Sequence, residues 1–377
     1  MRIKMDLTRS RQVGIVIFVC GLFVLLLAVL QQKSYLFTLF GLQLLALATG
    51  LCYEKVLPVS IIFISILFSL LAAEPILKFY KDDTNSPKYA GDYTKHYFVP
   101  SDLGNQATPG VHSSIKYAAN NQLIYNAIYT IGDDGFRITP GNHSLKNERV
   151  NFFGCSFMFG EGLNDNQTLP YFVAKQSPFL VKNFGFHGYG PHQALAILTS
   201  HRDTSGKTNF FLTAPWHAER SACVPSYSTG SPRYYLENGK VIRDGVCGGS
   251  KSKNIFNKIL RKSRLYTLIS DFTKQSLSQD KQIDLYLALI EQMNVLSKER
   301  AQDFLVGFIK ADEDYFTGSY SNDLIVKKLT DHGVRVVDLT LSDKNETLDS
   351  KYYIKIDKHP SSLANEERAK IVLHALH

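Results

Sequence analysis

Asn151-Phe152-Phe153-Gly154-Cys155-Ser156-Phe157-Met158-Phe159-Gly160-Glu161-Gly162 begins as an apolar strand and ends in glycines. A hydroxyl, that of Ser156, stands where strand gives way to loop. A serine held at the carboxyl edge of a sheet can act as a nucleophile, and Ser156 is the candidate.

The residues that follow alternate between strand and helix patterns. Strands are expected at Val150–Cys155, Leu180–Phe186, Asn209–Ala214, Asp303–Ile309 and Arg335–Leu339. Helices are expected at Leu169–Gln176, Gln193–His201, 254–275, 280–299, Asp323–Asp331 and Leu363–Leu376. Such alternation implies a parallel sheet covered on both faces. Ligands of such sheets sit beyond the carboxyl ends of the strands. Ser156 and the residues after Phe186 and Ala214 all fall there. An insertion at about 217–250 carries Cys223 and Cys247, a candidate disulfide pair if that stretch lies outside the cytoplasm.

The residues before 150 read differently. Three apolar runs, about Val13–Leu30, Leu36–Cys52 and Leu57–Leu71, are each near the length that crosses a hydrocarbon core. Residues 1–75 are therefore expected to be a membrane anchor of three transmembrane helices. Arg2, Lys4, Arg9 and Arg11 precede the first run and place the amino terminus in the cytoplasm. Three crossings would then put the catalytic domain on the periplasmic or extracellular side of a bacterial inner membrane. None of the runs has an ionisable residue at its centre, which argues against an ion pathway. Residues 76–110 read as a juxtamembrane linker. Residues 111–149 read as a small β element, its strands turning at Asn120-Asn121.

The chain's 377 residues carry a formal net charge of +8, but the excess is partly beside the first apolar run and otherwise scattered. Without a dense basic stretch carrying interleaved aromatics, nucleic acid is not an expected partner. No Cys/His spacing suggests a metal site, and no cofactor is expected. Cys20 and Cys52 lie in the apolar runs as packing residues.

A serine needs a base within hydrogen-bond reach, and the base needs an orienting acceptor. Ile356-Asp357-Lys358-His359-Pro360, on a loop before the last helix, offers both. Asn183-Phe184-Gly185-Phe186-His187-Gly188-Tyr189-Gly190 offers glycines whose N–H groups can face a developing oxyanion. Glu161 and Asp165 read as solvated loop acids rather than a glycosidase pair. The spacing Ser156-Phe157-Met158 disfavours the Gly-x-Ser-x-Gly elbow of α/β-hydrolases.

Together these stretches resemble the SGNH (GDSL-type) hydrolase family. The first block reads Gly154-Cys155-Ser156-Phe157-Met158-Phe159-Gly160, the second Asn183 to Gly188, and the last Asp357, His359 and Pro360 before the final helix. The resemblance covers about 150–377. It implies a three-layer flavodoxin-like α/β fold and ester hydrolysis or acyl transfer through an acyl-serine. It also implies Ser156 as nucleophile, His359 as base, Asp357 as its orienter, and the Ser156 and Gly188 amides as oxyanion donors.

The chain departs from the pattern twice. Cys155 stands where the family has aspartate. The strand at Phe210–Ala214 runs into Pro215-Trp216-His217 with no oxyanion asparagine, leaving His217 as the nearest substitute. Tyr189, Trp216 and Arg220 are candidate substrate contacts.

The expected activity is that of a membrane-anchored serine esterase acting on O-acyl or O-acetyl groups, with an acylated envelope carbohydrate or another small ester as substrate. Two alternatives are an O-acetyltransferase working with a membrane acyl-donor partner, and a non-catalytic glycan-binding or assembly component on the same fold.

Overall fold

The computed structural model describes residues 7–30, 35–53, 56–82, 89–93, 96–141, 148–248, 277–341 and 351–376. The expected helix at 254–275 lies outside the described residues. The chain divides into two compact units, residues 1–86 with 251–275, and residues 87–250 with 276–377.

The first unit holds three helices, α1 (Leu7–Leu30), α2 (Tyr35–Cys52) and α3 (Leu57–Asp82). Glycines set how closely they approach. A Cβ on Gly21 would stand 3.2 Å from the carbonyl oxygen of Gly41, and one on Gly50 3.0 Å from the Ser60 Cβ. The expectation of three membrane-spanning helices is corrected here. Among the described residues no helix is long and apolar enough to cross a membrane. The physical reason is that helical length exceeds apolar length. Thr8, Arg9, Ser10, Arg11 and Gln12 open α1, Gln43 interrupts α2, and Glu74, Lys78, Lys81 and Asp82 lie in the last turns of α3.

The second unit begins with two antiparallel pairs. Strand β1 (Phe98–Ser101) pairs with β2 (Gly104–Ala107), inside the stretch read as a linker, and β3 (Gly110–Tyr117) pairs with β4 (Leu123–Ile131). Along β4, Tyr125, Ala127, Tyr129 and Ile131 alternate inward. On β3 the inward face carries Ser114 and Lys116, while Ile115 is only partly covered.

The main sheet follows. In chain order its elements are β5 (Glu148–Phe153), α4 (Ser156–Phe159), α5 (Leu169–Gln176), β6 (Phe179–Asn183), α6 (Pro191–Leu198), β7 (Thr208–Thr213), α7 (His217–Ser221), the hairpin β8 (Pro232–Glu237) and β9 (Lys240–Val246), α8 (Gln279–Glu299), β10 (Asp303–Phe308), α9 (Asn322–Asp331), β11 (Arg335–Asp338) and α10 (Ser362–Leu376). The five main-sheet strands are all parallel and lie in the order β11-β10-β7-β5-β6. This is the flavodoxin-like arrangement, in which the chain reverses direction of winding between β5 and β7.

Strand alternation builds a core on each face. Val150, Phe152, Phe210, Leu212 and Leu305 pack against α5 and α10. Phe153, Phe211, Phe304, Val306 and Phe308 point the other way, toward α6, α8 and α9. Strand β6 stops at Asn183, three residues before its expected end at Phe186. The Asn183 side chain closes a turn by accepting from the Gly185 N–H at 2.9 Å, and it donates to the Met158 carbonyl at 3.1 Å.

The nucleophile stretch leaves β5 at the crevice between β5 and β7. Helix α4 lasts one turn and ends at Gly160, which is left-handed at φ 82°. That turn returns the chain so that the Glu161 N–H reaches the Ser156 carbonyl at 3.0 Å. A Cβ on Gly160 would stand 2.5 Å from Thr168 Cγ2 and 3.2 Å from Arg137 Nη1. Gly160→Ala therefore combines left-handed strain of about 1–2 kcal/mol with a steric clash. Urea denaturation should show the variant less stable by at least that amount.

Candidate active site

Ser156 is the first residue of α4, preceded by the extended Cys155. Among the described residues neither its N–H nor that of Gly188 donates to another protein group. Gly188 is left-handed at φ 72°, and a Cβ there would meet the Tyr227 ring at 3.0 and 3.1 Å. Two unpartnered backbone donors thus lie on the loops that follow β5 and β6.

The carboxyl-terminal loop brings His359 from 203 residues away. The Tyr353–Pro360 bridge and the bond from the Ile354 N–H to the His359 carbonyl, 2.8 Å, fold it into a tight arch. Within it Ile356 and Lys358 hold φ of 70° and 65° on either side of Asp357. A β-branched residue in that region is a true outlier, and strain of about 1–3 kcal/mol per residue persists only where surroundings enforce it. Here the arch turns Asp357 and His359 to one side. His359 Nδ1 lies 2.6 Å from Asp357 Oδ2, and His359 Nε2 lies 2.8 Å from Ser156 Oγ. The structure therefore brings Ser156, His359 and Asp357 into one hydrogen-bonded chain.

A second layer surrounds that chain. Lys116, from β3, bonds to Asp357 Oδ1 and stands 3.9 Å from Glu161 Oε1. Its ammonium also lies over the rings of Tyr89 at 4.2 Å and Tyr93 at 4.8 Å. Glu161, read from sequence as a solvated acid, is buried at 7% exposure. Its Oε2 lies 2.6 Å from His187 Nδ1 and 3.3 Å from His359 Nε2, and its Oε1 accepts from the Tyr125 hydroxyl at 3.4 Å. Asp165, the other expected surface acid, is held by the buried Arg137 at 2.8 Å. Sequence reasoning missed Glu161, His187 and Lys116. The available signal was the position of Glu161 one turn after Ser156, and of His187 beside Gly188.

The electrostatics follow from burial and pairing. For Glu161 burial pushes upward, but His187, His359 and Lys116 outweigh it, and the carboxyl lies well below its ordinary range. For His359 burial pushes downward, yet Glu161 and then Asp357 outweigh it, and the imidazole is raised above its ordinary value. Tyr97, whose hydroxyl lies 2.9 Å from His187 Nε2, is raised by burial and stays a phenol. Glu161, Asp357 and His359 are close enough to suggest metal ligation. The Lys116 ammonium already serves as the cation for both carboxylates, so the grouping reads as a charge network.

His217, the expected substitute donor, is held in the core by one ring nitrogen. It opens α7 in the core at 1% exposure, with Nδ1 on Thr213 Oγ1 at 2.9 Å. Thr213 in turn donates to the Tyr286 hydroxyl at 3.2 Å. Burial and the nearby Arg220 hold its imidazole well below the usual range. Among the described residues no hydrogen bond or ion pair links it to Ser156. His192, also buried, is pushed down to about 3 by burial.

The three expected substrate contacts divide. Tyr189 is buried with its hydroxyl on the Asn105 carbonyl at 2.7 Å, so it serves packing. Arg220 spans from the Tyr189 carbonyl, 2.8 Å, to the Tyr227 hydroxyl, 3.2 Å, and so ties the insertion to the Gly188 loop. Trp216 is half-buried against Phe157, whose ring edge packs on His359 at 5.4 Å. Tyr227, unremarked in the sequence, is 55% exposed and is the aromatic that borders Gly188. Cys223 and Cys247 are joined in a disulfide across the insertion.

No protein-family model matches the chain. No curated protein matches it. Solved structures similar to it include lipolytic proteins of the G-D-S-L family and esterases. One is a member of the lipolytic protein G-D-S-L family from Veillonella parvula, with 10% identity and TM-score 0.34, covering 60% of this chain and 96% of that one. A psychrotrophic esterase from Pseudoalteromonas sp. has 10% identity and TM-score 0.35, covering 61% of this chain and 97% of that one. An acetylxylan esterase from Geobacillus stearothermophilus has 13% identity and TM-score 0.33, covering 61% of this chain and 94% of that one. At this level of likeness the functional reading rests on the site's own geometry.

The raised His359 has a signed consequence. A folded value above the unfolded one of about 6.5 means that its contribution to stability is complete below that pH. The contribution is lost as pH rises through the folded value. Deprotonation of Ser156 needs the neutral imidazole. Labelling of Ser156 by a fluorophosphonate, followed by mass spectrometry, should accelerate with pH and reach its midpoint above about 6.5.

Proposed function

We propose that the chain is a serine-dependent ester hydrolase working through an acyl-serine. The observation that carries the reading is the unbroken chain Ser156 Oγ–His359–Asp357, at 2.8 and 2.6 Å, with the Ser156 N–H left without a protein partner among the described residues. His359 takes the Ser156 proton as Oγ bonds to the ester carbonyl carbon. The oxyanion is met by the N–H groups of Ser156 and Gly188. The intermediate collapses, and His359 passes its proton to the departing alkoxide. Water then repeats the sequence: His359 removes its proton, the new bond releases the acid, and Ser156 is protonated again.

The departure from the three-donor pattern is part of this reading. With His217 bonded to Thr213 in the core, the hole is assigned two donors. Ester substrates, with better leaving groups than amides, make the smaller demand on it. O-acetyl groups on carbohydrate are the substrates we favour. Exposed Tyr227 and half-buried Trp216 supply ring faces of the kind that stack on sugars, and Ser156 at 7% exposure favours a small acyl group. The Cys223–Cys247 bridge supports an oxidising compartment as the place of work.

Release of acetate from 4-nitrophenyl acetate and from acetylated xylo-oligosaccharides tests the assignment. Ser156→Ala should lower turnover by roughly 10⁴-fold or more with the fold retained by circular dichroism. Unchanged turnover would remove Ser156 from the chemistry. Gly188→Ala, which presses a methyl on the Tyr227 ring, should lower kcat by about 10- to 100-fold through displacement of an oxyanion donor.

A further inference from the structure

The imidazole of His359 has a carboxylate at each nitrogen. Asp357 holds Nδ1, while Nε2 faces both Ser156 Oγ at 2.8 Å and Glu161 Oε2 at 3.3 Å. Glu161 reaches that place through a fixed path. The left-handed Gly160 ends α4 and turns the chain, and the Glu161 N–H bonds back to the Ser156 carbonyl. Tyr125 bonds Oε1, and His187 bonds Oε2. The tautomer of His187 follows from its neighbours. Ionised Glu161 can only accept, so His187 Nδ1 carries the proton of that bond, while Nε2 lies 2.9 Å from the Tyr97 hydroxyl, which also reaches the Tyr93 carbonyl at 3.4 Å. Tyr97, His187 and Glu161 thus form a hydrogen-bonded chain that ends beside the base.

Charge counting shows what the arrangement favours. Glu161 and Asp357 are negative and Lys116 is positive, so with both His187 and His359 neutral the cluster is one charge short of neutral, and of the two imidazoles His359 is the one that lies against both carboxylates. Protonation of His359 completes it. The other groups that face this cluster, Tyr97, Tyr125 and Tyr129, are phenols raised by burial, and Arg137 is committed to Asp165 and to the carbonyls of Phe159, Gly160 and Leu163.

We propose that Glu161 is a positioning residue for the proposed ester chemistry, a second carboxylate that stabilises the His359 imidazolium from the Nε2 side, with His187 and Tyr97 as its support. During acyl transfer Nε2–H is made when Ser156 gives up its proton and is spent on the leaving alkoxide. In the interval it lies within reach of Glu161 Oε2. No proton passes to the carboxylate; the gain is electrostatic, because the positive charge develops between two buried anions. The same contact has a cost at low pH. An imidazolium held between two carboxylates is a resting state that cannot take the Ser156 proton.

Histidine NMR titration of the full chain reads the coupling directly, with the His359 resonance identified by its loss in H359Q. The variant E161Q keeps the shape and removes the charge, and should lower the His359 titration midpoint by about one pH unit or more. E161D retracts the charge and should give a smaller fall. In steady-state hydrolysis of 4-nitrophenyl acetate, E161Q should move the acid limb of kcat/KM down by the same amount. It should also lower the pH-independent kcat roughly tenfold, a factor that one charge interaction of this kind supplies. H187N, which loosens Glu161 without removing it, should move the limb in the same direction by less. A His359 midpoint that is equal in the parent, E161Q and E161D overturns the proposal. So does a fall in kcat with an unmoved acid limb, which would mark Glu161 as merely structural. The kinetic arm rests on the esterase reading, but the NMR arm needs no turnover. An absent activity with a shifted midpoint would overturn the esterase reading and leave the Glu161–His359 coupling standing.

Discussion

Buried charge must be paired, and that constraint holds the second unit together. Asp357 and Glu161 are carboxylates taken out of water, at a cost that only close counter-charges and hydrogen bonds can offset. The counter-charges come from different parts of the chain. Lys116 arrives on β3, His187 on the loop after β6, and His359 on the arch before α10. None of these segments satisfies its own polar groups alone. The nucleophile loop, the antiparallel β3/β4 pair and the carboxyl-terminal arch are therefore interlocked through one electrostatic cluster.

The sheet provides the frame for this cluster but not its chemistry. Parallel strands with the winding reversed between β5 and β7 open a crevice at their carboxyl ends. One turn of helix and a left-handed Gly160 place Ser156 at that crevice and bring Glu161 behind it. The loop with Gly188 borders it on the β6 side. Arg220 bonds both to the Tyr189 carbonyl and to Tyr227, so the disulfide-closed insertion is tied to the oxyanion loop rather than appended to the surface. The same sheet architecture supports many activities, so a function is argued from the site and not from the strands.

Much of the fold could be read from local pattern. Strand alternation around Phe152, Phe210 and Val306 and helix spacing at Leu169–Gln176 need only neighbours in sequence to be recognised, because side-chain direction is a local property. The hydroxyl of Ser156, the glycine at 188 and the Asp357/His359 pair were visible as residue types in suitable places. Length misled at the amino terminus. Apolar runs of membrane-like composition occur there, but polar and charged residues share the same helices, and no described helix is long and apolar enough to cross a bilayer.

The sequence by itself determined the five strands of the main sheet and most of the helices beside them, where the chain turns on glycine, and which serine, histidine and aspartate could make a nucleophilic chain. Tertiary structure alone decided the surroundings that set their charge. Lys116 lies on a strand whose apolar Ile115 would ordinarily mark the inward face, yet Ser114 and Lys116 point in because Asp357 waits there. Glu161 looks like a loop acid until Tyr125, His187 and His359 close around it. His217 looks available until Thr213 and Tyr286 draw it into the core. Each of these outcomes depends on groups far apart in sequence that meet only when the sheet is assembled. Burial and pairing are properties of that assembly, and no window of residues contains them.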